Sequence, residues 1–348
     1  MAEPEAQPIA LDELTLTVLV DNETDTLSSV DDGIPEIPEA ATLASRLPLE
    51  KRGDHDCVTV FDHLCVACHG LSVLATGRRG DETHTVLFDV GPYPDVWLAN
   101  AERQAVDLAS IERLVLSHWH FDHSGGFPEV VRAISEARRV AGLAEPLVVD
   151  LHPDRPDQRG TRAPNGRFTM LPAEPTFHAI AAAGGQIETN AEAHCVANRF
   201  FLVSGEIPRV TDYEQGLIGH HSFQGDVAEP DPLILDERFL AAHVAGHGLS
   251  VLSACSHAGV VNACLAAIDA VPDAPIDIIL GGYHLAGRGM EDRIEATVRD
   301  LAERISPQVV APGHCTGWRA KVALAAEFAP GRYGPSVVGS RYVRSAES

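Results

Sequence analysis

The stretch LSHWHFDHSGG, residues 116–126, decides the fold and the chemistry expected of this chain. Within it, four side chains able to bind a metal follow the spacing His-x-His-x-Asp-His, directly after a short apolar run that predicts a strand. On a loop, alternate side chains point to the same side, so His118 and His120 can share one metal ion, while Asp122 and His123 turn towards a second. Imidazole and carboxylate ligands suit Zn²⁺, and also Fe or Mn. Because four ligands at this spacing are improbable in a mere histidine-rich surface loop, the segment predicts a metal site.

This segment resembles the signature of the metallo-β-lactamase superfamily, and TVLFDVG at 85–91 resembles the strand that precedes the signature there. Other segments resemble one subgroup, the dihydropterin–ribofuranosylaminobenzene phosphate synthase-like metallo-hydrolases. They are VLVDN at 18–22, HGLSVL at 69–74, SGEIPR at 204–209, SACSHAGVVN at 253–262, GGYHL at 281–285 and PGHCTG at 312–317. The resemblance implies an α/β fold of the αββα sandwich type, with two mixed sheets packed between helical layers.

The order of predicted elements agrees with such a layered sandwich, because strands come first and strands alternate with helices in the second half. We expect a single domain over residues 1–348, with irregular insertions at about 21–56 and 152–235. Strands are predicted at Leu14–Val20, Leu71–Ala75, Thr85–Asp89, Arg113–Leu116, Leu147–Leu151, Phe200–Ser204, Gly248–Leu252, Asp277–Leu280 and Gln308–Ala311, and helices at Val96–Ala109, Pro128–Ala141, Val260–Ala270, Glu291–Ile305 and Ala320–Phe328.

The family resemblance implies further metal ligands downstream. His257, in ACSHAG, is expected to be one of them. His314, in APGHCTG, resembles the distal histidine of the second metal, and His284, in GGYHL, competes with it for that role or contacts substrate. Cys255 stands where many relatives carry a bridging Asp, so it is either a thiolate ligand or a residue that lines the site. Occupancy by one metal ion rather than two is left open.

Three other residues are candidates for contacts around the metals. A carboxylate at Glu206, in SGEIPR, can hydrogen-bond a ligand histidine. Arg209 in the same motif either pairs bidentately with an anionic substrate group or is simply solvated. His69 is expected near the edge of the metal site. The pattern Cys65-x-x-Cys68-His69 is formally that of c-type haem attachment, but we expect packed thiols there, because haem attachment requires export.

The remaining histidines and the bulk composition exclude several functions. We predict that the pairs His220–His221 and His243/His247 lie at the surface, whereas a loop over the site can still deliver His178. The formal charge of −24, from 50 acidic and 26 basic residues, argues against nucleic-acid binding, because the phosphates would be repelled. There is no run of about 18 apolar residues and no secretory signal. We therefore expect no membrane contact and a cytoplasmic location. Seven cysteines, an odd number, argue against a disulfide framework.

These features together predict a metal-dependent hydrolase that acts on an ester, amide, lactone or phosphoester bond of a small molecule. A metal pair lowers the pKa of a bound water to about 7, so that hydroxide forms near neutral pH, and Asp122 is the expected catalytic residue that orients it. Three alternatives stay open: a pterin-type synthase or transferase that displaces pyrophosphate, an iron-containing redox protein, and a non-catalytic binding protein. Assembly into a homo-oligomer is left open as well.

Overall fold

The structure is built from short strands and helices. The computed structural model describes residues 7–31, 34, 44–45 and 47–346. Its strands, in chain order, are β1 (Ala10–Leu11), β2 (Glu13–Val20), β3 (Glu50–Arg52), β4 (His55–Cys57), β5 (Ser72–Arg79), β6 (Glu82–Phe88), β7 (Ile111–Val115), β8 (Leu147–Leu151), β9 (Gln158–Arg162), β10 (Phe168–Met170), β11 (Gly185–Thr189), β12 (His194–Val196), β13 (Phe201–Val203), β14 (His220–Gln224), β15 (Val227–Pro230), β16 (Leu240–Val244), β17 (Gly248–Ser253), β18 (Ile276–Gly282), β19 (Val309–Gly313) and β20 (Arg341–Ser345). Its α-helices are α1 (Pro94–Arg103), α2 (Phe121–Ser124), α3 (Glu129–Val140), α4 (Phe177–Ala182), α5 (Val260–Ala270), α6 (Ile294–Asp300) and α7 (Trp318–Phe328). Within the described ranges, no helix combines the length and the apolar character needed to cross a membrane.

Two large mixed sheets form the middle of the molecule. The first has the strand order β11-β8-β7-β6-β5-β2-β20. In it, β6, β7, β8 and β11 are parallel neighbours, and the other pairs are antiparallel. The second has the order β12-β13-β16-β17-β18-β19, with β1 beside β16, and its parallel neighbours β17, β18 and β19 lie at one side. Each sheet therefore has one group of parallel strands whose carboxyl ends share an edge.

Three buried clusters show how the layers stack. The cluster between the sheets takes alternate residues of facing strands, such as Leu14 and Leu16 of β2 and Leu240 of β16. A second cluster packs the outer face of the second sheet against α5, the α6 region and α7. A third packs the outer face of the first sheet against α1, α3 and α4. The fold is thus an αββα sandwich, as the sequence predicts.

Residues 152–235 hold more regular structure than the sequence indicates. They contribute β11 to the first sheet and β12 and β13 to the second, and they also form a separate antiparallel sheet of order β10-β9-β14-β15. Arg159 of β9 fastens this four-stranded sheet to the main body, because its guanidinium donates to the carbonyl oxygen of Trp119 at 2.9 Å and to the Asp236 carboxylate at 2.6 Å. For the insertion expected at 21–56, the described residues include the β3–β4 hairpin, and residues 32–33, 35–43 and 46 lie outside the described part.

One predicted helix is shorter in the structure. The sequence predicts a helix over Val96–Ala109, but α1 ends at Arg103 and a separate 3₁₀ turn spans Leu108–Ser110. Ala105 has a left-handed backbone, with φ of 54°, and cannot continue a right-handed helix. The chain therefore turns there and enters β7, which delivers the histidine-rich segment.

Candidate metal centre

The side chains predicted to bind metal come together beyond the carboxyl ends of the parallel strands. His118 and the residues after it follow β7, Cys255 and His257 follow β17, and His314 follows β19. In α/β sheets, the crevice outside these strand ends is the usual place for a functional site. Here two sheets contribute at once, so residues about 200 positions apart in sequence become neighbours.

Three imidazoles form the first group of ligands, which we name the histidine set: His118, His120 and His257. The Nε2 atom of His118 lies 3.0 Å from Nδ1 of His120 and 3.2 Å from Nε2 of His257. The Nε2 atom of His257 is also 3.2 Å from Nδ1 of His120. A tetrahedral zinc ion bound through nitrogen at about 2.0–2.1 Å spaces its ligand nitrogens by about 3.3 Å. The three converging nitrogens therefore fit one metal ion.

A second group, which we name the mixed set, combines a carboxylate, a thiol and two imidazoles: Asp122, His123, Cys255 and His314. The Asp122 Oδ2 atom lies 3.2 Å from Nε2 of His314 and 3.6 Å from Nε2 of His123. The same nitrogen of His123 is 3.2 Å from the Cys255 Sγ atom. The rings of His118 and His123 are 4.5 Å apart between centroids, so the two sets adjoin. Nitrogen, oxygen and sulfur ligands of this kind suit Zn²⁺ or Fe.

Hydrogen bonds on the far side of the histidine set fix which ring nitrogen faces the metal position. The Ser117 Oγ atom donates to Asp89 at 2.8 Å, so His118 Nδ1 donates to that same Oγ atom at 2.9 Å and its Nε2 lone pair faces the set. His220 Nδ1 donates to the Asp231 carbonyl oxygen at 2.7 Å. Its Nε2 atom consequently accepts from His120 Nε2 at 2.9 Å, which leaves the His120 Nδ1 lone pair for the metal.

The mixed set is oriented in the same way. His123 Nδ1 donates to the Asp89 carboxylate at 2.7 Å, and His314 Nδ1 donates to the Asn22 Oδ1 atom at 3.1 Å. In the neutral form of each ring, the Nε2 atom that faces Asp122 is therefore unprotonated and available to a cation. A ligand histidine whose second nitrogen is held by a hydrogen bond is the usual arrangement around protein-bound metals. The tautomers and the spacing together fit a pair of divalent cations.

Burial and neighbouring charges give the histidines of the two sets different pKa values. Burial lowers the pKa values of His118, His120 and His257 well below 6.5, so these rings are neutral and can bind a cation. Burial would also lower the pKa of His123, but the carboxylates of Asp122 and Asp89 raise it to about 9. Burial acts to raise the pKa of Asp122, yet the neighbouring histidines bring it well below 3.8. Without a bound cation, His123 is therefore protonated and paired with these carboxylates. A cation that binds the mixed set displaces this proton, and the ionised carboxylate of Asp122 then faces the cation.

Two carboxylates stabilise the loop that carries His257. Glu237 accepts the backbone N–H of His257 at 2.7 Å and that of Ala258 at 2.6 Å. Glu214 accepts the N–H groups of Val261 and Asn262, both at 3.0 Å, at the start of α5. Free N–H groups at a helix start attract anions, so carboxylates are stabilising there. These contacts hold the β17–α5 loop where it presents His257 to the histidine set.

Backbone strain is present in the loops of the centre. Four non-glycine residues have left-handed φ angles between 43° and 62°: Asp89, Ser256, His284 and His314. Each such conformation costs of order 1–3 kcal/mol and persists only where the surrounding structure enforces it. The distribution of strain therefore agrees with a functional role for these strand ends.

The structure places His284 and His314 in different groups of ligand-competent side chains. His284 is grouped with Cys255 and His257, and its ring centroid lies 4.4 Å from that of His257, whereas His314 contacts Asp122. Cys255 is buried and belongs both to the mixed set and to the group that contains His284. Its Sγ atom lies 3.4 Å from that of Cys315. Cys65 and Cys68 of the haem-like pattern are free thiols.

The remaining candidates lie at different distances from the metal position. The His69 Nε2 atom is 3.5 Å from the Asp122 carboxylate, at the edge where the sequence places it. Burial lowers the pKa of His69 below 6.5. Glu206 is exposed, and within the described part of the chain its carboxylate makes no hydrogen bond to either ligand set. Arg209 is half-buried and donates to the Leu233 carbonyl oxygen, and His178 is exposed on α4.

Sequence reasoning is wrong about His220 and misses Asn22. His220 is predicted to lie at the surface, but it is only 4% exposed and supports His120, because β14 of the four-stranded sheet carries it to the centre. Its only sequence signal is the adjacent pair of histidines. Asn22 follows β2, in a segment read as an irregular insertion, and it contacts both His69 and His314. Its signal is the VLVDN segment, which the sequence matches to relatives without assigning a role.

Comparisons with known proteins agree with this geometry. The family model described as the metallo-β-lactamase superfamily matches residues 66–314, which is more than half of the chain. The 7,8-dihydropterin-6-methyl-4-(β-D-ribofuranosyl)-aminobenzene-5′-phosphate synthase of Methanocaldococcus jannaschii is 26% identical over 263 residues, covering 75% of this chain and 85% of the relative. The crystal structure of Tm1679, a metal-dependent hydrolase of the β-lactamase superfamily, superposes with a TM-score of 0.65 at 22% identity, covering 95% of this chain and 99% of the other. This chain belongs to the metallo-β-lactamase superfamily.

Proposed function

We propose that the protein is a metal-dependent hydrolase of a small molecule, acting on an ester, amide, lactone or phosphoester bond. The observation that carries the proposal is the meeting of two groups of ligand-competent side chains at one crevice, one of which contains the ionised carboxylate of Asp122. The histidine set and the mixed set each fit one divalent cation, Zn²⁺ being the expected ion. When bound, such a pair acidifies water and polarises a carbonyl or phosphoryl oxygen.

The residues of the chain have separable roles in this reaction. The Asp122 side chain is 20% exposed, whereas those of His123 and His314 beside it are fully buried. Because its pKa is held well below 3.8 by the neighbouring histidines, despite burial, Asp122 stays ionised and can accept a hydrogen bond from water at the open side of the crevice. We assign to Asp122 the role of orienting that water towards the substrate.

The test is metal-resolved activity profiling. Protein loaded in turn with Zn²⁺, Mn²⁺ and Fe²⁺ is assayed against a panel of esters, lactones, amides and phosphodiesters. We expect one bond class to be hydrolysed, with loss of activity on chelation and recovery on adding the preferred metal. Absence of turnover with every fully loaded form and every bond class would contradict the proposal.

A synthase reaction is the second candidate. The curated relative carries a synthase name and is matched over 85% of its length, which supports a reaction in which a metal pair assists displacement of pyrophosphate from a pterin. Incubation with a pterin pyrophosphate and an arylamine acceptor separates the two functions. Release of pyrophosphate that requires the acceptor favours the synthase, and release that requires only water favours the hydrolase.

A further inference from the structure

Asn22 occupies a position in which backbone groups determine the orientation of its side-chain amide. The Gly70 N–H group donates to the Asn22 Oδ1 atom at 3.2 Å, and the Asn22 Nδ2 atom donates to the His314 carbonyl oxygen at 3.3 Å. A backbone N–H can only donate and a carbonyl can only accept. The oxygen and nitrogen of this amide are therefore assigned independently of any histidine.

The fixed amide assigns opposite tautomers to two neighbouring histidines. Its Oδ1 atom accepts from His314 Nδ1 at 3.1 Å, which leaves the His314 Nε2 atom unprotonated and facing the mixed set. Its Nδ2 atom donates to His69 Nδ1 at 3.0 Å, so the proton of the neutral His69 ring is on Nε2. That Nε2–H group lies 3.5 Å from the Asp122 carboxylate. His314 is thus prepared to bind a cation, and His69 is prepared to donate a hydrogen bond.

His69 also has the access that a substrate contact needs. Its side chain is 66% exposed, whereas that of His314, whose ring centroid lies 4.8 Å away, is fully buried. Gly70 allows this close approach, because a Cβ atom there would lie 2.5 Å from the backbone oxygen of Asp122. The imidazole of His69 therefore stands at the solvent side of the mixed set and not within it.

We propose that His69 is a catalytic residue that donates its Nε2–H hydrogen bond to a substrate oxygen at the mixed set, and that Asn22 is the positioning residue that fixes its tautomer. This inference rests on the proposed hydrolase function. The oxygen recognised is one that gains negative charge during the reaction, on a carbonyl or phosphoryl group, and no proton is transferred. A preorganised donor aimed at such an oxygen stabilises the transition state more than the ground state.

The tautomer is tested without reference to activity. Two-bond ¹H–¹⁵N correlation spectra of the Zn²⁺-loaded protein, labelled with ¹⁵N-histidine, distinguish the Nε2–H from the Nδ1–H form. We expect His69 to be the Nε2–H tautomer in the wild type and to change to Nδ1–H in Asn22→Asp, whose carboxylate can only accept. If Asn22→Asp does not fold, Asn22→Ala is expected to give a mixture of both forms. An Nδ1–H tautomer in the wild type, or a direct bond from His69 to ¹¹³Cd²⁺, overturns the inference.

Kinetics test the role. With a substrate from the panel, His69→Ala is expected to lower kcat roughly 100- to 1000-fold with little change in KM and no change in metal content. His69→Gln, which keeps a donor, is expected to retain most of the rate. Equal rates for all three proteins, or metal loss in both variants, overturns the assignment.

Orthophosphate separates this inference from the proposed function. If the wild type hydrolyses nothing in the panel, titration of the Zn²⁺-loaded protein with phosphate is still expected to shift the His69 Nε2–H signal. We also expect binding to be about tenfold weaker in His69→Ala, the energetic equivalent of one hydrogen bond to a charged group. In that case the hydrolase proposal fails and the donor role stands. A His69 signal that does not respond to phosphate overturns the donor role.

Discussion

The histidine set and the mixed set lie side by side but are chemically unlike. The histidine set offers three neutral, buried imidazole rings, whose pKa values are lowered by burial first and by neighbouring basic side chains second. The mixed set offers a carboxylate and a thiol beside two imidazoles, and only its Asp122 side chain reaches solvent, with 20% exposed. One metal position is therefore neutral and closed. Its neighbour is open on one side and becomes anionic when a cation displaces the protons of His123 and Cys255.

This difference indicates a division of labour. A neutral set binds a cation without cancelling its charge, which keeps that ion a strong Lewis acid. A set that becomes anionic on binding retains its cation, because opposite charges in a poorly solvated site interact strongly. The exposed side of the mixed set, with Asp122 and His69, is where substrate can enter. The variants below test whether the two sets are separable in this way.

The largest effect is expected when each set loses one ligand. The double variant His120→Ala/Asp122→Ala removes a nitrogen from the histidine set and the carboxylate from the mixed set. We expect metal content to fall from about two equivalents per chain to well below one, with turnover reduced by more than the roughly 10- to 100-fold that follows loss of an outer partner. Elemental analysis after gel filtration measures this, and exposed His178→Ala is the control. Unchanged metal content in the double variant would show that the assignment is wrong.

A smaller effect, confined to one set, is expected from Cys255. Burial raises the pKa of this thiol well above 9, so it becomes a thiolate only when a cation binds it. Cys255→Ser is expected to lose about one equivalent of metal, and the Co²⁺-substituted protein is expected to lose its thiolate charge-transfer absorption. Cys315→Ser, which changes the thiol 3.4 Å away, is the matched control and should keep both. If instead Cys315→Ser abolishes the absorption, the mixed set uses the other sulfur.

Weaker again is the expected effect of removing a partner of the histidine set. His220→Phe takes away the acceptor for His120 Nε2, and we expect Zn²⁺ affinity at one of two sites to fall roughly 10- to 100-fold. Competition with a chromophoric chelator measures the affinity. His221→Phe is the matched control, because the ring of His221, also on β14, is hydrogen-bonded to the carbonyl oxygen of Gly219 and not to a metal ligand. Equal affinities in the two variants would show that the four-stranded sheet does not contribute to metal binding through His220.

Most members of the two ligand sets can be predicted from the sequence, but the division of the downstream residues between the sets cannot. The His118–His123 spacing places ligands on both sets because it depends only on local geometry after a strand. The position of His257, His314 and Cys255 follows from family resemblance. Which of His284 and His314 faces Asp122 depends on how the ends of β18 and β19 lie in the second sheet, and the spacing of one sequence does not determine that.

The partners of the ligands are harder to predict, because they come from segments without a clear periodic pattern. A register shift between Val18 and Val20 ends the alternation of β2 just before Asn22. A bulge or other irregularity of this kind redirects the side chains that follow it, and a sequence gives no sign of it. His220 lies in a segment whose strands are short and polar, so the four-stranded sheet that carries it to His120 is not apparent from hydrophobic periodicity.

The smallest effect concerns stability near the mixed set and leaves metal content unchanged. Glu174 is 4% exposed, and its carboxylate accepts a hydrogen bond from Ser124, the residue after His123. Burial raises the pKa of Glu174 from 4.5 to about 7. The neutral form is therefore favoured in the folded protein, and its stabilising contribution is complete below about pH 4.5 and is lost as the pH rises through about 7.

Glu174→Gln keeps a neutral polar group and removes this titration. We expect the free energy of unfolding of the wild type to fall relative to the variant between about pH 5 and pH 8, by at most about 3 kcal/mol. Urea denaturation of both Zn²⁺-loaded proteins at several pH values measures the difference, and the pH dependence of metal binding cancels because the ligand sets are the same. A difference that stays constant over this range would mean that Glu174 is ionised throughout. The negative charge beside His123 would then extend beyond Asp122, and the mixed set would be more anionic than its four ligands make it.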